Sequence, residues 1–197
     1  MNRPLILAST SPYRASLLTR LGLPFKSVAP KVDESPEVGE TPANLALRLS
    51  AAKARAAVAD YPDALIIGSD QVAELDGKAL GKPGSRERAV EQLRAMSGRT
   101  LVFHSGLALL DSRDGNLQVI TVPTTVEFRE LNVEWIEQYV VREPAFDCAG
   151  SAKAEGLGIS LMQRIQSDDP TSLIGLPLIA LTHMLAQRGV HVLEARP

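Results

Sequence analysis

A single cysteine, Cys148, stands in 197 residues, so neither an internal disulfide nor a cysteine-based zinc site can form. Histidine is almost as scarce. His104, His183 and His191 are scattered without metal-ligand spacing and read as structural or exposed side chains. An excess of one charge is missing too: 21 Lys and Arg face 23 Asp and Glu, a formal net charge of −2. That balance excludes a surface that is basic throughout, and with it a stable nucleic acid partner held by overall charge. Any polyanion site must be local. No apolar run is long enough to span a bilayer, and the N-terminus carries one Arg and a brief apolar stretch without a secretory cleavage pattern, so no membrane partner and a cytoplasmic location are expected. The chain also lacks a Rossmann glycine fingerprint, a Walker A loop, a nucleophile elbow and an EF-hand loop. It shows no repeat, low-complexity tract or Ser/Gly-rich linker. With 45% hydrophobic residues it can bury a substantial core, and residues 1–197 are expected to form one domain or two closely packed lobes.

What is present alternates between strand and helix signals. The apolar run Leu5 to Ala8 breaks into Ser9, Thr10, Ser11, Pro12, Tyr13 and Arg14 before an apolar-periodic stretch reaching Leu21. Ser11 is placed to cap the helix, Pro12 suits its first turn, and the free amides beside them favour an anion. An ordinary capped helix reads the same way. Thr41 and Pro42 open a helix with Leu45, Leu49, Ala52 and Ala56 on one face, ending near Tyr61. Ala64 to Gly68 reads as a buried strand whose edge, Ser69 to Gln71, leads into Val72 to Leu75 and a hairpin turn at Asp76-Gly77. Ser85 caps a helix through Met96. Leu101 to Leu110 and Leu117 to Phe128 form a long hairpin around Asp114-Gly115, Asn132 to Val141 a helix, Leu157 to Met162 a short strand, and Pro177 to Gln187 a final helix. The fold class is therefore α/β with an extended, partly antiparallel sheet.

Four charged residues of the first half stand out. Asp70 follows the apolar strand Leu65-Ile66-Ile67, where strand ends deliver side chains into a cleft, or else it caps a turn. Lys53 starts near the buried face of an Ala/Leu-rich helix and either snorkels to solvent or reaches beyond that face. Lys82 is held between Gly81 and Pro83. Glu34 follows Asp33 in what is either a solvated turn or part of a site. Together they have a shared logic: lysines and Arg14 can hold phosphate oxygens, while Glu34 and Asp70 can bind a divalent metal cation or orient water.

The ordered set Leu5 to Pro12 with Arg14, Val32-Asp33-Glu34, Ala52-Lys53-Ala54, Ile67 to Gln71, Gly81-Lys82-Pro83, Ser105-Gly106, Cys148 to Ser151, Glu155-Gly156 and Gly175-Leu176-Pro177 closely resembles the Maf family of nucleoside triphosphate pyrophosphatases. The resemblance implies a fold like that of inosine triphosphate pyrophosphatases, with a bent mixed sheet and flanking helices in two lobes around a deep cleft. It implies hydrolysis of a nucleoside triphosphate to the monophosphate and pyrophosphate with Mg²⁺ or Mn²⁺. Ser9, Ser11 and Arg14 are then expected to grip phosphate, Glu34 to support metal or water, Lys53 and Lys82 to neutralise phosphate charge, and Asp70 to accept a proton and help hold the metal. Tyr13, Gln71 and Glu155 stand where the family's subgroups differ. They resemble the subgroup acting on 7-methyl-GTP, in which the usual aromatic is Trp, rather than the one acting on thymidine and uridine triphosphates. A cationic methylated base suits an aromatic face and a carboxylate. The family also implies a homodimer. Alternatives are the pyrimidine triphosphate preference and a nucleotide-binding regulator connected with cell division.

Overall fold

The computed structural model describes residues 3–194, so the expected span of 1–197 extends beyond it at each end. Strand β1 (Leu5–Ala8) is apolar and wholly buried, as a strand between two parallel neighbours must be. It lies between β2 (Phe25–Val28) and the first four residues of β3 (Leu65–Leu75). Asp76 and Gly77 both have positive φ, the conformation of a two-residue type I′ hairpin, and return the chain into the short strand β4 (Lys78–Leu80). Strand β5 (Thr100–Asp111) runs antiparallel along β3, β6 (Leu117–Phe128) along β5, and β7 (Met162–Ser167) along β6. The result is a seven-stranded mixed sheet of order β2-β1-β3-β5-β6-β7 with β4 also on β3. It is flanked by α1 (Pro12–Thr19), α2 (Pro42–Ala56), α3 (Arg86–Met96), α4 (Val133–Arg142) and α5 (Leu178–Gln187). The expected α/β class therefore holds. So do the helix starts: Ser11, Thr41, Ser85 and Asn132 each accept a backbone N–H three residues on, with Pro12 and Pro42 in the first turns.

The apolar residues separate along the sheet. At one end of β3 and β5, Leu65, Ile67, Leu107 and Leu109 pack with Leu17, Leu18, Leu181 and Leu185 of α1 and α5. At the other end, Ala73, Leu101 and Phe103 pack with Leu93, Met96, Ile136 and Val140 of α3 and α4. Helix α2 lies on the opposite face from α1 and α5, and glycine decides how closely. A Cβ at Gly68 would sit 2.0 Å from the Ser50 carbonyl oxygen, and one at Gly106 would sit 2.1 Å from that of Ala46. The small residues Ala46, Ser50 and Ala54, four apart, form the ridge that meets these glycines. This contact brings Lys53 down onto β3.

Three expectations change. Asp70 does not follow a strand end: β3 continues unbroken from Leu65 to Leu75, so Asp70 is a mid-strand residue. Leu157 to Leu161 is a 3₁₀ turn rather than a strand, and the strand begins at Met162. Leu161 and Met162 are buried, Gly156 and Gly158 precede them, and the strand runs on through the largely exposed Gln163 to Ser167 on the sheet edge. The edge strand Phe25–Val28, with two polar residues in the middle, was not expected at all. It forms because β1 offers it a pairing edge.

Asp111, at the end of β5, is 2% exposed and binds Arg3 from the chain start and Arg188 from the end of α5. The hydrogen bond from Arg3 holds its carboxyl well below the usual carboxylate range, outweighing burial, with Arg188 acting in the same direction. A depressed carboxylate contributes stability that is complete above its unfolded value, about 4, and is lost as pH falls towards the native value. Asp111→Asn is therefore expected to destabilise the protein by about 2 to 4 kcal/mol at neutral pH, since two arginines lose their shared anion. Urea unfolding of both proteins from pH 7 downwards checks this: the difference should shrink below about pH 4. A constant difference would place the stabilisation elsewhere.

Candidate active site

The cleft follows from sheet pairing. On one edge of β3, β1 covers residues 65–68 and β4 covers residues 73–75, and neither pairs with 69–72. The chain leaving β1 (Ser9 to Arg14) and the chain leaving β4 (Gly81, Lys82) both turn into this gap, which opens as a cleft of about 660 Å³. All ten sequence-predicted site residues line it.

Successive residues of β3 point to opposite faces, and this splits the Ser69-Asp70-Gln71 motif into two tasks. Asp70 faces α2, where Lys53 Nζ lies 2.6 Å from Asp70 Oδ1 and 2.6 Å from Glu34 Oε1. Lys53 and Asp70 are buried, and Glu34 is half-exposed on its loop. Burial pushes the Glu34 carboxyl up, but Lys53 first, then Lys82 and Arg14, draw it below its ordinary value. Glu34 is thus an anion held in a field of three cations. Lys82 is exposed and makes no ion pair among the described residues. Its loop is held by Gln92, whose amide donates to the Gly81 carbonyl at 3.0 Å.

Ser69 and Gln71 face the other way, towards the segment before α5. Ser69 Oγ lies 2.9 Å from the Gly175 carbonyl oxygen, which also accepts from Arg14 Nε at 2.9 Å. Gln71 Nε2 donates to the Ser172 and Leu173 carbonyls at 3.0 and 2.9 Å. Carbonyls only accept, so the amide nitrogen must face them, leaving Oε1 as the group Gln71 can offer the cleft. Arg14 is half-buried, and its Nη1 reaches Ser9 Oγ at 3.4 Å. Burial lowers the Arg14 guanidinium from its ordinary value while Asp70 and Glu34 raise it. Ser9 also accepts from the Ser11 N–H, and Ser11 from the Arg14 N–H. The two serines thus brace the turn, and Arg14 carries its charge.

The cleft also holds Tyr13, Glu155 and residues that sequence reasoning passed over. Lys153 Nζ lies 5.4 Å from the centre of the Tyr13 ring and 3.9 Å from Asp147 Oδ1. Glu155 is exposed and makes no hydrogen bond or ion pair among the described residues. Cys148 lies beside them, its thiol pushed up to about 12 by burial and then by Asp147, so it is neutral and a poor nucleophile. The signal for Lys153 was its place two residues before Glu155. Asp169 was also missed. It is buried and accepts from the Ile179 N–H at 2.8 Å, capping α5 from ten residues upstream and fixing the segment that carries Gly175.

Glu34 and Asp70 are the two carboxylates here that could hold a divalent ion together with other oxygen donors. No group of three His, Cys, Asp or Glu able to hold a metal occurs among the described residues. Nor is any helix among them long and apolar enough to cross a membrane.

The family model described as Maf-like protein matches residues 4–188. A protein of Thiobacillus denitrificans is 59% identical over 189 residues, covering 96% of this chain and 94% of its own. Relatives from Pseudomonas aeruginosa and Bordetella pertussis are 55% and 54% identical, covering 95% and 98% of this chain and 98% and 96% of theirs. All three carry the name 7-methyl-GTP pyrophosphatase. The motifs that meet at the gap in β3 are thus those of a family shared over almost the whole length: the chain belongs to the Maf family.

Proposed function

We propose that the protein hydrolyses 7-methyl-GTP to 7-methyl-GMP and pyrophosphate, removing a modified nucleotide from the pool, with residues 1–197 as one catalytic unit. The observation that carries the reading is Lys53, a buried cation shared by Glu34 and Asp70, with Arg14 and Lys82 on the facing walls. This is a site for a chain of phosphates. Water attacks the α-phosphorus, its proton passes to Asp70, and the bond between the α- and β-phosphates breaks, the electron pair leaving on pyrophosphate. Asp70 Oδ1 is held by Lys53, which leaves Oδ2 to orient the water. Lys53, Lys82 and Arg14 meet the charge that grows on the leaving group, and Lys53 and Arg14, already held by Glu34, Asp70 and the Gly175 carbonyl, need little reorganisation in the transition state. A divalent cation, Mg²⁺ or Mn²⁺, would be held by the Glu34 and Asp70 carboxylates and would supply further charge neutralisation. Gln71 acts by holding the Ser172 and Leu173 carbonyls, while Ser69 shares the Gly175 carbonyl with Arg14.

The base reading rests on Tyr13 as a stacking face and Glu155 as an acceptor for the guanine N1–H and N2–H edge, supported by the names of the relatives. Purified protein with Mg²⁺ or Mn²⁺ is expected to release pyrophosphate from 7-methyl-GTP faster than from GTP, thymidine triphosphate or uridine triphosphate. Glu155→Gln removes the charge and one acceptor arrangement. It should cost on the order of 1 to 3 kcal/mol in kcat/KM for 7-methyl-GTP, with much smaller loss on pyrimidine triphosphates. Equal kcat/KM for methylated and ordinary substrates, unchanged by the substitution, would sink the base assignment and leave the phosphate chemistry standing. A faster reaction with the pyrimidine triphosphates would replace it with the other subgroup's preference, and binding without pyrophosphate release from any of them would favour a regulator.

A further inference from the structure

Resting on the base reading above, the geometry points to Lys153 as a further specificity-determining residue: we propose that its ammonium donates a hydrogen bond to the 6-oxo group of the purine. In this structure the ammonium lies over the Tyr13 ring, 5.4 Å from its centre. Contact with the Tyr13 side chain raises the lysine above its ordinary value, outweighing partial burial, so it is a full cation. A base stacked on that ring face takes the same space, and the ammonium must then find another acceptor. Asp147 Oδ1, 3.9 Å away, is beyond a direct hydrogen bond in this arrangement.

The backbone of Lys153 cannot follow the side chain. Its N–H donates to Tyr139 Oη at 3.2 Å, its carbonyl accepts from Gly156 N–H at 3.1 Å, and a Cβ at Gly158 would sit 2.5 Å from that carbonyl oxygen. What moves is a four-carbon stem anchored two residues from Glu155. The turn therefore presents a donor-only group and an acceptor-only group to the same end of the cleft. Guanine offers the complement along one edge: the O6 acceptor beside the N1–H and N2–H donors. Methylation at N7 removes the neighbouring ring acceptor and leaves O6 as the acceptor available to a cation on that side. An adenine carries an amino donor in place of O6, and Lys153 would leave it unpaired. Asp147 and Glu155 offset the repulsion between the ammonium and a cationic base.

The test compares GTP with 6-thio-GTP, which differ at that one atom, in wild type and Lys153→Met, reading kcat/KM from pyrophosphate release. Wild type should prefer the oxo substrate by about tenfold, as loss of a charge-assisted hydrogen bond implies. In Lys153→Met the two substrates should agree within about twofold. Lys153→Arg, which keeps a charged donor, should retain most of the preference. A purely structural role for Lys153 would lower both substrates alike, so an unchanged oxo-to-thio ratio in Lys153→Met overturns the proposal even if the rate falls. Loss of the preference in a folded Lys153→Arg counts against it as well. Should wild type prefer thymidine or uridine triphosphate to GTP and 7-methyl-GTP, the base reading fails and takes this assignment with it. Where the guanine preference holds but the ratio does not respond to Lys153, the present proposal alone is wrong.

Discussion

Asp70→Asn is expected to reduce turnover by about 100-fold or more on every triphosphate, in a protein that folds and still binds nucleotide. The substitution keeps the size and one carbonyl oxygen, so Lys53 Nζ retains an acceptor at the present 2.6 Å contact with Oδ1. What disappears is the negative charge and the oxygen that can take a proton, because the amide nitrogen only donates. General-base contributions lie at 10² to 10⁴, which sets the lower bound. Removing a carboxylate also weakens the hold on a divalent cation, and titration of the activity with Mn²⁺ separates the two effects. If Asp70 acts as base, saturating metal leaves the rate low; if it serves chiefly as a metal ligand, high Mn²⁺ restores it. Turnover close to wild type in the folded variant would remove Asp70 from the mechanism.

The reason Asp70 was legible in the sequence is partly wrong, and the error is informative. An acidic residue after an apolar strand suggested a side chain delivered at a strand end, yet β3 runs on to Leu75. The cleft arises at mid-strand because β1 is only four residues long and β4 only three, leaving 69–72 uncovered between them. Strand lengths and partners of this kind are non-local, and no pattern within β3 records them. The helix caps, the Asp76-Gly77 turn and the long hairpin were readable because their signals lie within a few residues of the structures they produce. Gly68 and Gly106 give no local signal at all, since their role is to admit the backbone of α2. Lys53 was open between solvent and cleft for the same reason: its direction is set by Ala46, Ser50 and Ala54 seating the helix on those glycines. At the site, charged residues were found by their shared chemistry. Lys153 was overlooked because its partner, Tyr13, is distant in sequence, and Asp169 because it caps α5 from ten residues upstream.

Lys53→Met is expected to lower kcat/KM by about 10² to 10³ for all triphosphates alike, the range for loss of one positioned donor at a developing charge. The methionine keeps much of the aliphatic stem, so the seat of α2 on β3 should survive. The electrostatics should not. Lys53 is the cation common to Asp70, whose side chain is 12% exposed, and Glu34, at 54%. Without it the two carboxylates keep only the more distant charges of Arg14 and Lys82, and the cost falls mainly on the more buried Asp70. A divalent cation can replace the missing charge, which gives a readout independent of catalysis. Thermal melting of Lys53→Met should fall below wild type in chelator and recover with Mg²⁺ or Mn²⁺ by more than wild type itself gains. The ranking of bases should be unchanged, because in the proposed function Lys53 meets the phosphates while Tyr13 and Glu155 meet the base. A variant that keeps the rate but reorders the bases would contradict the phosphate role. One that loses activity without the metal-dependent recovery would mean that Lys53 serves the reaction without being the charge that keeps Glu34 and Asp70 together.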